Sequence, residues 1–256
     1  MTEEMITING MECRVKPGRT IWETARDNGI EIPTLCLLKD AAPTGACRIC
    51  LVEVEGMNNL AASCSTPAQA GMVIWTESKK VIAARKEILS LMLASGNHNC
   101  GIGSTTNDDW TEYQLSAETY DKEEELCPAW GDCRLQDLAY RYGVNPLDAA
   151  RVPARYPKET VNPLIVRDFS RCILCGRCVQ ACNDIQVNRA IHIGYRGTDS
   201  KIVAGTDVPL KDSDCVFCGE CIQACPTGAL VEKKSLTSWR PWEEKKIRTT
   251  CPYCGV

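Results

Sequence analysis

The chain has 256 residues, 24% of them charged, a formal net charge of −4 and eighteen cysteines. No apolar stretch approaches the roughly 18–20 residues that cross a bilayer, and the acidic balance gives no electrostatic case for nucleic acid, so direct membrane insertion and nucleic acid partners are not expected. With two phenylalanines and 6% aromatic residues, the composition suggests small modules in series whose interiors hold more than side chains.

At the N-terminus, residues 6–8 and 12–15 alternate around Asn9-Gly10, the strongest short hairpin signal. Thr20-Ile21-Trp22-Glu23 reads as a capping box, opening a helix that ends at Gly29. Cys36 follows in a loop, Cys47 and Cys50 precede the strand Leu51-Val52-Glu53-Val54, and Cys64 comes later. A strand over 72–76 leads into an amphipathic helix over 78–94, whose Val81, Ile82, Ile88, Leu89, Leu91 and Met92 are expected in the core. His98 and Cys100 sit directly after Ser95-Gly96. A polar stretch separates them from Cys127, Cys133 and Arg134-Leu135-Gln136-Asp137-Leu138-Ala139-Tyr140. Residues 145–163, with Pro146, Pro153, Pro157 and Pro163, read as a linker over the surface.

Next comes a duplicated run: Cys172, Cys175, Cys178, Cys182, then Cys215, Cys218, Cys221, Cys225. Each copy is C-x2-C-x2-C-x3-C, the bacterial ferredoxin pattern, in which three cysteines hold one cubane and the fourth crosses to the other. Cys172, Cys175, Cys178 and Cys225 are therefore expected to hold one [4Fe–4S] cluster, and Cys182, Cys215, Cys218 and Cys221 a second. Pro226 stops the local helix after the second run. Asn183 stands in its place in the first, where the turn is expected to differ. Disulfides rank behind this reading because residues 1–7 show neither the basic start nor the apolar core of a signal peptide, which also suggests the cytoplasm. Zinc would leave the third cysteine of each run surplus to a tetrahedral site. His192, within the strand-like 190–194, reads as an ordinary histidine, and Cys13 as an ordinary hairpin residue.

The order of strands, helix and cysteines at the N-terminus resembles the β-grasp fold of plant-type [2Fe–2S] ferredoxins. The spacing C-x10-C-x2-C-x13-C departs from the plant C-x4-C-x2-C. It is similar to the start of the large subunit of respiratory complex I, of iron-only hydrogenases and of NAD-linked formate dehydrogenases. The resemblance implies a [2Fe–2S] cluster on Cys36, Cys47, Cys50 and Cys64. Gly45 would let backbone amides approach it, and Arg48 would either stabilise its negative charge or simply be solvated.

In these families the next place carries a [4Fe–4S] cluster held by one histidine and three cysteines, usually H-x3-C-x2-C-x5-C followed by Leu-Gln-Asp-Leu. Cys127, Cys133 and residues 135–138 match the second half, and the implied set is His98, Cys100, Cys127 and Cys133. The first half departs, with one residue between His98 and Cys100. A neutral imidazole in place of an anionic thiolate raises a cluster's potential. His98→Cys is thus expected to keep a cluster at lower potential, and an unchanged redox titration would remove His98 from the ligand set.

The chain ends Thr249-Thr250-Cys251-Pro252-Tyr253-Cys254-Gly255-Val256. This resembles the opening C-P-Y-C-G-V-G-C of the catalytic part of molybdenum- or tungsten-pterin formate dehydrogenases, which implies an incomplete [4Fe–4S] motif in Cys251 and Cys254. Half a zinc hook or a redox pair is the other reading. Trp239 and Trp242, in the polar stretch before it, are expected to dock onto a neighbour.

Together these resemblances imply an α+β chain. A β-grasp [2Fe–2S] domain over 1–78 is followed by a small helical His/Cys3 module over 79–145 and a linker over 146–163. A bacterial 2[4Fe–4S] ferredoxin-like domain over 164–234 comes next, then a linker and truncated motif over 235–256. The implied function is the electron-transfer region of a formate dehydrogenase α-subunit of the soluble type. It would relay electrons between a Mo/W-bis-pterin formate/CO2 site and flavin or iron–sulfur partner subunits linked to NAD or ferredoxin. No complete catalytic site is expected within these residues. The alternatives are a free-standing iron–sulfur relay subunit of a hydrogenase-type or electron-bifurcating complex, and a zinc-binding scaffold.

Overall fold

The computed structural model describes residues 4–96, 98, 127–144, 155–237, 243, 245 and 247. Cys100, Trp239, Trp242, Cys251 and Cys254 lie outside them. Strands β1 (Glu4–Ile8) and β2 (Met11–Val15) pair antiparallel with Ile8 opposite Met11. Asn9 and Gly10 both take left-handed backbone, φ 51° and 83°, as the tightest hairpin turn requires. Asn9 also ties the hairpin to the rest of the sheet. Its Nδ2 donates to Thr76 Oγ1 at 2.7 Å, and its Oδ1 accepts from Thr76 N at 2.9 Å.

Helix α1 (Ile21–Asp27) starts at the reciprocal cap read from the sequence. Glu23 N donates to Thr20 Oγ1 at 3.2 Å, and Thr20 N donates to Glu23 Oε2 at 2.9 Å. Strands β3 (Leu51–Val54), β4 (Ala61–Ala62) and β5 (Val73–Trp75) complete a mixed sheet of order β2-β1-β5-β3-β4, in which β1 and β5 run parallel. Alternate residues Ile6, Ile8, Cys13, Val15, Val52 and Val54 face α1 and close the first core with Ile21 and Ala25. This is the β-grasp arrangement.

Helix α2 (Lys79–Ala94) is capped by Ser78, whose Oγ accepts from Val81 N at 3.3 Å. Its buried stripe is Val81, Arg85, Leu89 and Leu93. Leu91, expected in the core, is instead 65% exposed. The physical reason is the stripe's four-residue step, which turns position 91 away and puts a charged side chain, Arg85, at the centre. Arg85 is fully buried and bonded on every side. Nε and Nη2 donate to the carbonyls of Ile49 and Leu51 at 2.9 Å each, and Nη1 donates to Glu77 Oε1 at 2.7 Å and Tyr142 OH at 2.6 Å. Tyr142 follows α3 (Arg134–Arg141), so one guanidinium joins the β-grasp sheet to the next module.

The third module is built twice over. Strand β6 (Ile165–Arg167) pairs antiparallel with β9 (Leu230–Glu232), and β7 (Ile191–Gly194) with β8 (Lys201–Ala204). Short helices α4 (Arg177–Gln180) and α5 (Glu220–Ala224) occupy equivalent places. Residues 155–163 run alongside this module, with Glu159 bridging backbone to backbone with Arg167 and pairing with its guanidinium at 2.6 Å. Among the described residues no helix is long and apolar enough to cross a membrane.

Candidate metal centres

The two cysteine runs fold into near-copies of one loop. Leu174 and Gly176 have φ 52° and 77°, and Phe217 and Gly219 have φ 56° and 79°. This alternation of left-handed positions turns three successive thiols toward a common side, and each glycine then caps its short helix. Backbone amides two residues on point back at the sulfurs: Phe217 N donates to Cys215 Sγ at 3.4 Å, and the amides of Leu174 and Arg177 approach Cys172 and Cys175.

The copies part where the sequence differs. Cys225 takes extended backbone ahead of Pro226, as a residue before proline must. After Cys182, Asn183 supplies the amide that proline lacks, and the helix runs on as a π turn over Ala181–Ile185. Gln186 N reaches Ala181 O at 2.9 Å.

These loops sort the thiols into two groups. Cys172, Cys175, Cys178 and Cys225 line one small cavity, and Cys182, Cys215, Cys218 and Cys221 line another. Each of Cys172, Cys175 and Cys178 feels the charge of Cys225, and Cys215 and Cys221 feel that of Cys182, while Cys178 and Cys221 also feel a thiol of the other group. Burial pushes the Cys172 thiol up to about 11 and those of Cys175 and Cys221 up to about 12. Thiols so placed are poor anions by themselves and become good ligands once metal replaces the proton. No group of three or more His, Cys, Asp or Glu side chains among the described residues forms a site for a single metal ion. The thiolates of a cubane each bind a different iron, and four thiols spread around one cavity fit such a polynuclear cluster.

In the β-grasp module, Cys36, Cys47, Cys50 and Cys64 are all buried. They pair as donor and acceptor. Cys36, accepting from the Cys47 thiol, falls to about 5, and Cys50, accepting from Cys64, falls to about 7, while the two donors are pushed up. Four sulfurs gathered on the loop ahead of β3 and on the turn after β4 suit a two-iron cluster. Gly45 is buried with φ 61°, and Arg48 is exposed.

His98, Cys127 and Cys133 are buried to 6%, 8% and 7% exposure. The turn carrying the two cysteines packs on the segment after Cys225. Cys133 Sγ donates to Pro226 O at 3.6 Å, Arg134 N donates to the same oxygen at 3.0 Å, and a Cβ on Gly228 would stand 3.1 Å from Cys127 Sγ. Just before His98, a Cβ on Gly96 would collide with the Ser170 carbonyl oxygen, two residues ahead of Cys172. The middle module is thus wedged against both ends of the third. Cys36 and Cys47 share a core with Cys133 and Cys175, so thiols from all three modules meet in one layer. His192 is exposed on β7, and Cys13 is buried in the first core.

Sequence reasoning passed over Arg85 and Arg177. Neither figures among the expected site or core residues, yet they are 0% and 7% exposed. Arg177 had one signal, its place between two cysteines of a ligand-type run.

Two family models match: a 2Fe-2S iron-sulfur cluster binding domain over residues 4–79 and a 4Fe-4S dicluster domain over 171–229. The gamma subunit of the NAD-reducing hydrogenase HoxS of Cupriavidus necator is 32% identical over 201 residues, covering 77% of this chain and 74% of that one. The chain belongs to this family. This chain carries a 2Fe-2S domain and a 4Fe-4S dicluster domain in series. A chain in the crystal structure of an NAD+-reducing [NiFe]-hydrogenase in the H2-reduced state superposes with a TM-score of 0.72 at 31% identity, covering 91% of this chain and 88% of that one. The NADPH-Fe(3+) oxidoreductase subunit alpha of Geobacter sulfurreducens is 35% identical over 98% of this chain. The chain spans only 26% of that relative's length. A candidate formate dehydrogenase of Staphylococcus haemolyticus is 30% identical over 98% of this chain and 27% of its own length.

Proposed function

We propose that the chain is the electron relay of a multi-subunit, NAD-linked oxidoreductase, holding one [2Fe–2S] and three [4Fe–4S] clusters. The observation that carries this reading is the sorting of the eight thiols of the two runs into two crossed groups, each around its own cavity. Cys36, Cys47, Cys50 and Cys64 hold the [2Fe–2S] cluster. His98, Cys100, Cys127 and Cys133 hold one [4Fe–4S]; Cys172, Cys175, Cys178 and Cys225 hold the second, and Cys182, Cys215, Cys218 and Cys221 the third. When bound, such clusters supply one-electron carriers whose potentials follow from ligands, hydrogen bonds and burial. The chain's own residues bring the thiols together, point amides at the sulfurs and bury all four of the β-grasp module.

The chemistry at the far end of the relay is formate oxidation or CO2 reduction at a Mo/W-bis-pterin site outside these residues. The Cys251-Pro252-Tyr253-Cys254 ending and the similarity to the Staphylococcus protein support this. A second reading, a relay for a hydrogenase-type complex, is favoured by the gamma-subunit relative and the superposed hydrogenase chain. Iron, zinc, molybdenum and tungsten counted per chain in the anaerobically purified native assembly separate them. Full loading of these sites gives about fourteen iron atoms. Iron at or above that level with stoichiometric Mo or W is expected for the formate reading, iron without either supports the hydrogenase-type relay, and zinc in place of iron overturns both.

A further inference from the structure

Arg177 opens α4 and sits between Cys175 and Cys178 in sequence. It is 7% exposed, and neither its Nε nor its Nη1 has a hydrogen-bond partner. The groups acting on it are like-charged Arg134 and three thiols: Cys175 and Cys225 from the third module and Cys36 from the β-grasp module. It also lines, with Arg134 and Cys64, a cavity of about 740 Å³ beside the β-grasp cysteines. The same cavity is lined by the carboxylates of Glu23 and Asp40, but neither is among the groups that act on the guanidinium. An arginine keeps its proton in a protein, so it cannot escape the cost of burial by neutralising. A buried cation with idle donors needs an anion, and iron–sulfur clusters ligated by thiolates are net anions whose potential rises with nearby positive charge and with hydrogen bonds to sulfur.

We propose that Arg177 is a shared tuning residue, one guanidinium serving both the [2Fe–2S] site of Cys36 and Cys64 and the [4Fe–4S] site of Cys175 and Cys225. It raises the reduction potential of both and leaves the site of Cys182, Cys215, Cys218 and Cys221 unmoved. The inference rests on the cluster assignment above. It goes further in making the two potentials depend on one side chain, so that the two sites cannot be tuned independently at this position.

The test uses the native assembly purified anaerobically, with iron counted and potentials read by spin-resonance-monitored redox titration. In R177Q both potentials are expected to fall while the third site holds its wild-type value. R177K, which keeps the charge, stays closer to wild type than R177Q at both. Wild-type potentials at both sites in iron-loaded R177Q overturn the proposal, as does an equal shift at the third site. A measurement on unsubstituted protein covers the case in which R177Q does not assemble. With 15N in the arginine guanidinium groups, spin-echo modulation from arginine nitrogen is expected at both reduced sites, and its absence from either overturns the proposal. Wild-type protein lacking one of the two cluster signals overturns the cluster assignment and the inference with it. Loaded protein whose potentials ignore R177Q overturns the inference alone.

Discussion

Cys225→Ser is expected to abolish the same cluster signal as Cys175→Ser, and Cys182→Ser the same signal as Cys215→Ser, each at a loss of up to about four iron atoms per chain. The expectation comes from where the backbone delivers the fourth thiol of each run. Pro226 forces Cys225 out of the helix and into extended backbone, so its sulfur joins the cavity of the other run. The π turn carries Cys182 the opposite way, where its Sγ accepts from Ala190 N at 3.3 Å beside the cavity of Cys215, Cys218 and Cys221. Iron analysis with spin-resonance spectra of the four single variants decides it. If Cys182→Ser removed the signal that Cys175→Ser removes, each run would hold its own cluster, and the crossed assignment would be wrong.

Arg85→Met is expected to destabilise the protein by about 3 kcal/mol. The substitution keeps most of the apolar stem but leaves the buried carbonyl of Ile49 and the part-buried carbonyl of Leu51 without the donors that Arg85 supplies, at roughly 1–3 kcal/mol for each such group. Glu77 adds less, because its side chain is 38% exposed and water screens the pair. Ile49 and Leu51 flank Cys50, and Tyr142 loses its donor from Arg85, so the damage falls on both the β-grasp cysteines and the join to α3. Chemical denaturation followed by circular dichroism measures the loss, with Lys86→Met on the same helix as an exposed control. A change within about 0.5 kcal/mol, typical of a surface site, would show that Arg85 is dispensable.

Local signals were legible wherever they act over a few residues. Asn9-Gly10 made its turn because both positions tolerate left-handed backbone, and Thr20 with Glu23 closed its cap because the donors and acceptors lie within one helical turn. The helix over 79–94 was legible in extent and less so in facing. A pattern read from apolar residues alone passes over Arg85, which stands at the centre of the stripe, and counts Leu91, which faces water. Charge at a helix position signals solvent unless distant carbonyls and a tyrosine are there to receive it, and Ile49, Leu51 and Tyr142 lie too far along the chain for a local pattern to register.

The same division holds for the metal centres. Spacing alone marked the cysteines that could act together, since two intervening residues bring successive thiols to one side of a loop. Which thiols from separate segments become neighbours was decided by tertiary packing. The sequence lays out a β-grasp module, a middle module and a ferredoxin-like module in line. The structure folds them so that Cys36, Cys47, Cys133 and Cys175 share one core and Cys133 leans on Pro226. Sequence by itself determined the 2Fe-2S and 4Fe-4S domain types and their order along the chain, because motifs and caps are short-range. Only the tertiary structure decided their spatial order and buried Arg177 among thiols of two modules, because those contacts join residues far apart in the chain, 93 positions for Cys133 and Pro226.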